Sequence, residues 1–312
     1  MWVDGHGSAG KFVSSLPKFA PLPVSSPTSA PRGRRPGVAA HLQASAANTR
    51  CTEQRLLNGM NGGPGAISLR SASMPGCHDP QRNRLLAALS PRERERIYPQ
   101  LQLVEMPLGG VLYESDDVLR HAYFPTDSIV SVLYVLADGA STELLAVGNE
   151  GLIGIALFMG GETTPSRAIV QSAGHAYRLV GQLLKDEFHR DGPMRPLLLR
   201  YTQALITQMA QTAVCNRHHT VDQQLCRWLL LSLDRLSSNE LIVTQERIAN
   251  MLGVRREGVT EAACRLDKLG VIRNARGRIS ILNRSKLENL CCECYAVVKK
   301  EADRLLPPAL PR

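Results

Sequence analysis

The chain of 312 residues is long enough for two domains, and its 44% hydrophobic and 21% charged residues are typical of a globular protein. Only 4% of the residues are aromatic, so the core must be mostly aliphatic. No segment approaches about eighteen uninterrupted apolar residues and no apolar run follows the N-terminal basic residues, so neither a transmembrane helix nor a secretory signal is expected. We expect a cytoplasmic protein with no membrane partner, whose eight cysteines are reduced thiols.

The net charge of +9 is unevenly distributed along the chain. Residues 220–290 carry 12 basic and 8 acidic side chains, whereas residues 79–219 carry 13 and 15. A slightly acidic middle beside a basic C-terminal segment favours separate sensing and nucleic-acid-binding modules.

Residues 1–80 are expected to form a tail without a fold of its own. They are rich in Ser, Pro, Ala, Gly and Arg and show no sustained period of a helix or strand, which is typical of disorder. The alternative is that translation begins at Met60 or Met74, so that residues 1–73 are not made.

Residues 81–193 are predicted to form a β-roll or barrel. A short helix over 82–97 precedes short apolar strands that are separated by Gly, Pro and Asp, which is typical of an all-β roll. A helix over 182–190 closes the segment before Pro193. The expected strands span 101–106, 109–114, 121–125, 128–136, 142–147, 167–171 and 175–180.

Residues 194–219 are predicted to form one long helix, from Met194 to Asn216, with two neighbouring apolar stripes. One stripe can pack on the roll, and the other can pair with the same helix of a second chain in a homodimer. The alternative is a helix that packs wholly on its own domain. The first stripe comprises Leu198, Tyr201 and Leu205, and the second comprises Ile206, Met209 and Ala213.

Residues 220–290 are predicted to form a winged helix-turn-helix. Thr244 is a suitable N-cap for a first helix, and Gly253 supplies a permissive turn before a second one. The turn over 275–278 between Val271–Ile272 and the alternating Ile279 and Ile281 predicts a hairpin, the wing. The inward faces of three successive helices comprise Val221, Leu225, Trp228, Leu229, Ser232 and Leu236, then Ile248, Ala249 and Leu252, and then Val259, Ala262, Ala263 and Leu266.

The second helix of this motif can fit a major groove of double-stranded DNA. Arg256 can present its guanidinium to guanine, and Glu257 can accept a hydrogen bond from cytosine. Arg255 stands where a Ser or Thr cap is usual, which leaves N–H groups free for a DNA phosphate. A solvated surface charge is the alternative for each arginine. The other residues expected to contact or flank phosphate are Thr244, Gln245, Thr260, Arg273, Arg276 and Arg278.

The segments TQERIANMLGVRREGV, YFPTDSIVSVL and VGNEGLIG resemble the Crp/Fnr superfamily of bacterial transcription regulators, over roughly residues 81–290. The resemblance implies an α+β fold with an N-terminal cyclic-nucleotide-binding-like β-roll, a long dimerisation helix and a C-terminal winged helix-turn-helix. It also implies a near-palindromic operator, base reading by Arg256 and Glu257, and RNA polymerase as a further partner if the protein is an activator. Glu261 replaces an arginine that reads a base in the cyclic-AMP receptor protein, so a different operator is expected.

The sensing half departs from the cyclic-nucleotide binders of this family. Those proteins use a Gly-Glu pair followed about ten residues later by an arginine that holds the cyclic phosphate. Here Glu162 precedes Arg167 by only five residues, and Leu157 stands ten residues before Arg167. We expect no tight binding of cyclic AMP. An effector pocket for another ligand would include Leu157, Glu162, Arg167 and Ala168, although a surface or structural role is the alternative for the arginine.

The cysteines of the C-terminal extension, residues 291–312, are expected to be ordinary thiols. Cys291, Cys292 and Cys294 with Cys215 or Cys226 would suggest a metal site, but CCEC lacks a second CxxC pair and falls on an expected helix. We therefore expect no metal and no cofactor.

Two other metal chemistries known in such folds are not supported by the sequence. Only Cys51 and Cys77 precede the roll, so the iron–sulfur cluster of the oxygen-sensing branch of the family is not expected. His218 and His219 are adjacent on an expected helix and point in different directions, so they do not form the HxH pair of a cupin metalloenzyme. Both are expected to be surface residues of the helix.

Three classes of function compete for this sequence: a DNA-binding regulator, a β-roll enzyme, and a ligand-binding adaptor whose winged helix contacts protein. The distribution of charge and the second helix of the motif favour the regulator. The enzyme would need a metal set or a nucleophile with its base in the roll, and the sequence shows neither.

Overall fold

The structure is a computed structural model that describes residues 79–236 and 238–308. Apart from residues 79 and 80, the expected tail lies outside the described residues, as do Cys51, Cys77 and the alternative start positions. The described residues belong to one compact unit, Arg70–Arg312. None of the helices in this part of the chain is long and apolar enough to cross a membrane.

The first helical segment consists of two helices rather than the single expected one over 82–97. Helix α1 (Arg84–Ala87) is capped by Asn83, and helix α2 (Pro91–Ile97) begins after Ser90. Ser90 and Glu93 form a reciprocal capping box, and Pro91 occupies the first turn. These signals start a new helix at Ser90 and interrupt the expected one.

The β-roll is confirmed, and each of its seven strands lies within a residue or two of its expected position. One antiparallel sheet has the order β1-β7-β3, and the other has the order β2-β6-β4-β5. The side chains between them form an aliphatic core with few aromatic residues, among them Phe124. The strands are β1 (Gln102–Met106), β2 (Val111–Tyr113), β3 (His121–Pro125), β4 (Ile129–Val135), β5 (Ser141–Val147), β6 (Arg167–Ser172) and β7 (Gly174–Val180).

Two short helices complete the roll. Helix α3 (Ala156–Met159) lies in the glycine-rich segment, where no helix was predicted, and it ends at Gly160 with φ of 87°. Helix α4 (Gly181–His189) follows the last strand, as expected.

The long helix α5 (Met194–His218) packs its first predicted stripe on the roll. Leu198, Tyr201 and Leu205 are buried, and the Tyr201 hydroxyl donates a hydrogen bond of 2.7 Å to the carbonyl of Leu152. In the second stripe Ile206 and Ala213 are exposed and Met209 is half-buried. The helix is therefore not wholly packed on its own domain.

The C-terminal domain is a winged helix-turn-helix, as predicted, with one strand that the sequence did not indicate. Strand β8 joins β9 and β10 in a sheet of order β8-β10-β9. Helix α6 ends at Leu233, so the predicted position Leu236 lies beyond it. The elements are α6 (Val221–Leu233), β8 (Glu240–Ile242), α7 (Gln245–Leu252), α8 (Arg256–Lys268), β9 (Ile272–Ala275) and β10 (Arg278–Ile281).

Two helices follow the wing. Helix α9 (Arg284–Leu290) ends at Cys291, and helix α10 (Glu293–Leu305) begins after Cys292. Helix α10 lies against α5 and α6. The segment CCEC thus spans the junction of two helices instead of lying on one helix, because both Cys291 and Cys292 have extended backbone.

Candidate nucleic-acid interface

The helix-turn-helix is built by local signals that the sequence displays. The Thr244 hydroxyl accepts a hydrogen bond of 3.2 Å from the amide of Arg247, which caps α7. Gly253 ends α7 in the left-handed region, with φ of 66° and ψ of 34°. Behind them the apolar faces of α6, α7 and α8 share one core that includes Leu229, Ile248 and Val259.

The N-terminal end of α8 is exposed and carries no side-chain cap. Arg255 is the N-cap residue with extended backbone, and no side-chain hydrogen bond caps the helix there. Arg256 and Glu257 are also exposed. Because the first amides of a helix lack partners within the helix, this end presents N–H donors beside two guanidinium groups.

The wing is a tight hairpin with basic residues at its tip. Arg276 and Gly277 have φ of 43° and 78° and form a two-residue loop between the paired residues Ala275 and Arg278. Positive φ at both positions is typical of a type I′ turn. Arg273, Arg276 and Arg278 are all exposed.

Most of these cations form no ion pair in the part of the chain that the structure describes. No ion pair is found there for Arg255, Arg256, Arg273 or Arg276. Arg278 lies 3.3 Å from a carboxylate oxygen of Glu240, but an exposed pair of this kind contributes little. The surface therefore offers free positive charge.

The two other polar residues expected near DNA contact each other. The Thr260 hydroxyl donates to Gln245 Oε1 at 2.7 Å, which joins the first turn of α7 to the second turn of α8. Glu261, which stands where a family relative reads a base with arginine, lies 3.7 Å from Arg265, and Arg265 also pairs with Asp222 at 2.8 Å.

The winged domain docks on the roll, a feature that the sequence did not reveal. Arg235 Nε lies 2.7 Å from Glu150 Oε1, and the Gln171 amide donates to the Ser232 hydroxyl at 3.0 Å. Helix α7 lies against β5, where a Cβ added at Gly253 would be only 2.5 Å from Thr142 Oγ1.

The four residues predicted to form an effector pocket do not line either of two cavities found in the described residues. Leu157 and Ala168 are buried in the roll, Glu162 pairs with Lys185 at 2.6 Å, and Arg167 lies 3.0 Å from Glu114. One cavity of about 540 Å³ lies between the roll, α5 and α10, and another of about 460 Å³ lies around residues 112–123. A role of the four residues in effector binding stays a prediction.

Three of the cysteines, which were expected to be ordinary thiols, lie close together, and His219 is not the surface residue of the helix that was expected. Cys215, Cys292, Cys294 and His219 come together, with their ligand atoms all within 4.8 Å of one another. His219 caps the end of α5 with extended backbone, so its side chain diverges from that of His218 and is largely buried. Sequence spacing could not show this, because 77 residues separate Cys215 from Cys292.

An exposed helix end that carries Arg255 and Arg256, followed by an arginine-bearing wing, is typical of a winged helix-turn-helix DNA-binding domain. Residues 223–290 match the family of Crp-like helix-turn-helix domains. A comparison with curated protein sequences gives no match.

Solved structures of similar fold include proteins described as transcription regulators of the Crp/Fnr and CRP families. A Crp/Fnr-family regulator from Eubacterium rectale has a TM-score of 0.52 and 18% identity, over 67% of this chain and 98% of its own. FixK2 from Bradyrhizobium japonicum has a TM-score of 0.52 and 16% identity, with coverages of 62% and 98%. A CRP-family regulator from Thermus thermophilus has a TM-score of 0.52 and 19% identity, with coverages of 60% and 95%. The chain has the fold of the Crp/Fnr transcription regulators and a Crp-like helix-turn-helix domain.

Proposed function

We propose that the protein is a transcription regulator that binds a near-palindromic operator as a homodimer and is controlled by a signal at its β-roll. The observation that carries the proposal is the exposed N-terminal end of α8, where Arg256 and Glu257 stand beside uncapped helix amides. A protein surface with this combination is suited to the major groove.

Base reading is assigned to Arg256 and Glu257. A guanidinium makes two parallel hydrogen bonds to O6 and N7 of guanine, and a carboxylate accepts from the amino group of cytosine. Both side chains are exposed, and the described part of the chain supplies no ion pair for either of them. They can therefore turn toward base edges without breaking an internal contact.

Phosphate contacts are assigned to Arg255 and to the wing residues Arg273, Arg276 and Arg278. Arg255 precedes the free amides of α8, and the wing arginines surround a rigid two-residue turn. Thr244, Gln245 and Thr260 are assigned to the edge of the contact, where Gln245 and Thr260 hold α7 against α8. Phosphate contacts position the protein on DNA and carry no sequence information.

A homodimer is supported by the apolar stripe that α5 leaves uncovered. Leu199 and Ile206 are each about half exposed, and Ala213 is exposed at the next seven-residue interval. A heptad of this kind is suited to a parallel pairing of two helices. Two recognition helices related by a two-fold axis would then read half-sites about one helical turn, ~34 Å, apart.

Control by the roll is supported by its direct contacts with the DNA-binding domain. The ion pair of Arg235 with Glu150 and the bond of Gln171 to Ser232 connect the roll to α6 and the loop after it. A ligand controls DNA affinity only if it favours one arrangement of these parts over another. RNA polymerase as a further partner of an activator stays a prediction.

The test is a titration of the full-length protein against its operator, selected from random duplexes, and against single-base variants at several salt concentrations. Arg256→Ala should weaken the free energy of binding to the operator by ~1–3 kcal/mol. It should also reduce the preference for one base pair in each half-site. Arg276→Ala should weaken all sequences alike and reduce the salt slope by about one. Arg92→Ala, which removes an exposed arginine of helix α2, is the matched control.

Two results would change the assignment. If Arg256→Ala lowered the affinity equally for every DNA sequence, Arg256 would contact a phosphate instead of a base. Wild-type protein that ignores all DNA at moderate salt would favour the adaptor, whose winged helix contacts protein. The enzyme alternative would require turnover that survives loss of DNA binding.

A further inference from the structure

Four side chains with metal-binding atoms converge where the long helix meets the C-terminal helix. Cys215 is the fourth residue from the end of α5, His219 caps that helix, and Cys292 and Cys294 lie at the start of α10. Their sulfur and nitrogen atoms all lie within 4.8 Å of one another. The three cysteines are almost fully buried, with exposures of 0%, 5% and 1%.

Two distances within the cluster match the edges of a coordination tetrahedron, and all the others are at most 4.8 Å. With bonds of about 2.3 Å to sulfur and about 2.0–2.1 Å to nitrogen, a tetrahedral zinc ion places two sulfurs about 3.8 Å apart and a sulfur about 3.5 Å from a nitrogen. The sulfurs of Cys215 and Cys292 are 3.6 Å apart, and Cys294 Sγ lies 3.5 Å from His219 Nδ1. No large rearrangement is required to admit one ion.

The histidine is oriented from behind by a carboxylate. While its Nδ1 faces Cys294, its Nε2 lies 3.4 Å from Glu293 Oε2. In metal sites, a carboxylate partner of this kind fixes the tautomer and the ring orientation of the ligating histidine. This contact is an observation independent of the cysteine cluster, and it points to Nδ1 as the ligand atom.

We infer that Cys215, His219, Cys292 and Cys294 form a structural Cys₃His site for one zinc ion. The set is closed, since all four tetrahedral positions are filled by the protein and none is left for a substrate. On binding, each cysteine thiol releases its proton to solvent and coordinates as a thiolate.

Thiolate-rich tetrahedral sites select zinc over hard cations such as magnesium and calcium. An iron–sulfur cluster distributes its ligands over several irons, so its ligand atoms would stand further apart than the edges observed here. A disulfide between Cys215 and Cys292 would not explain why Cys294, His219 and Glu293 converge on the same place.

The placement of the ligands gives the site a consequence for the whole protein. Cys215 and His219 come directly before the winged domain, and Cys292 and Cys294 come directly after it. A bound ion would therefore hold the two ends of that domain together, because Cys215 and Cys292 are 77 positions apart in the sequence. Closing so long a loop restricts the unfolded chain and fixes the domain at the end of α5.

The experiment measures metal in full-length protein purified without metal-affinity steps, under reducing conditions and after exchange into buffer with a weak chelator. Elemental mass spectrometry should find about one zinc per chain. Cys292→Ala should lower this content to about zero. Cys226→Ala, which removes an equally buried thiol outside the cluster, should retain the ion. His219→Cys should also retain it, because four thiolates form an equivalent site.

Wild-type protein provides a second measurement in case Cys292→Ala fails to fold. Replacing zinc by Co²⁺ should give the intense visible bands of tetrahedral cobalt with thiolate charge transfer, and X-ray absorption should show three sulfurs and one nitrogen. Wild-type protein that takes up neither zinc nor cobalt would overturn the inference. So would a Cys215–Cys292 disulfide in freshly isolated protein, or several irons per chain.

Discussion

Arg235, which follows helix α6, forms an ion pair with Glu150 of the roll, and the two side chains are only 8% and 16% exposed. The guanidinium also donates to the carbonyls of Leu231 and Ala146 at 2.7 and 3.0 Å. Burial lowers the pKa of this arginine, but the charge of Glu150 and the hydrogen bond to it outweigh that effect and leave the pKa raised. The DNA-binding domain is thus held to the roll by a largely buried charged contact.

Glu150→Gln is expected to lower the free energy of unfolding by about 3 kcal/mol, because it leaves a buried guanidinium without its counter-charge. Urea unfolding measures the change. Arg235→Met combined with Glu150→Gln should lose less than the sum of the two single variants, since neither charge is then left alone. Glu288→Gln, which breaks an exposed pair with Arg284, should change stability by less than about 0.5 kcal/mol. If the double variant lost the sum of the stability losses of the two single variants, the two side chains would not be coupled.

Glu143 predicts a pH dependence of stability. Burial raises the pKa of this carboxyl, and the hydrogen bond from Ser131 and the charges of Arg227 and Arg235 only partly oppose the rise. A pKa higher in the folded than in the unfolded state means that folding favours the proton. The resulting stabilisation is complete below the ordinary glutamate pKa of about 4.3 and is lost as pH rises through the folded value.

Glu143→Gln should therefore stabilise the protein by roughly 1–3 kcal/mol at pH 8 and much less near pH 4. Thermal unfolding across this range checks the prediction. Glu105→Gln, at an exposed position of β1, serves as the control and should leave the profile unchanged. A variant profile parallel to that of the wild type would show that Glu143 is not the group responsible.

The elements of this protein were predictable where local signals decide the structure. Thr244 and Gly253 fix the ends of α7, and glycine and proline separate the strands of the roll. The capping box at Ser90 also indicates the start of a new helix, although the apolar pattern continues through it. The short edge strand β8 lacked enough residues to show a period.

The contacts between distant segments were not predictable from one sequence. The pairing of Arg235 with Glu150 joins residues 85 apart, and the cluster around Cys292 joins helices on either side of the winged domain. Motif spacing reports only ligands that are close along the chain, so CCEC alone suggested ordinary thiols. The sequence predicted the exposure of Arg256 because the spacing of apolar residues in α8 leaves that position on the outer face.

Ile206 provides a test of the proposed dimer. Its side chain is 49% exposed in a single chain, at the centre of the stripe from Leu199 to Ala213. Ile206→Glu should give monomers at micromolar concentration in sedimentation experiments, because like charges would face each other across the two-fold axis. Arg200→Glu, at the edge of the exposed face, should leave the dimer intact. Wild-type monomers bound to single half-sites would refute the dimer itself.

Cyclic AMP is expected neither to bind tightly nor to change DNA affinity. The arginine that would hold a cyclic phosphate, Arg167, is 3.0 Å from Glu114, and Glu162 is engaged by Lys185. A ligand at this place would have to separate both ion pairs. The site also lacks a glutamate at the spacing from the arginine with which cyclic-nucleotide binders hold the ribose. Calorimetry with a cyclic-AMP-binding relative as positive control checks this, and a submicromolar dissociation constant for this protein would contradict it.

A substitution of Arg276 should affect the stability of the wing and its binding to DNA in opposite directions. This residue has φ of 43° in a turn whose second residue is Gly277, and a non-glycine residue in this region carries strain of about 1–2 kcal/mol. Asparagine tolerates the conformation far better, and Asn-Gly is a preferred sequence for a type I′ turn. Arg276→Asn should therefore raise the free energy of unfolding by about 0.5–1 kcal/mol while it removes a cation from the DNA surface.

The same variant should lose affinity equally for operator and unrelated duplexes, with a salt slope reduced by about one. Urea unfolding and DNA titration of one preparation give both quantities. Gly277→Ala has the opposite pattern: it keeps every charge but strains the turn, so it should destabilise the protein while the salt slope stays unchanged. If Arg276→Asn were more stable and bound all duplexes as the wild type does, the tip of the wing would stand clear of the phosphates.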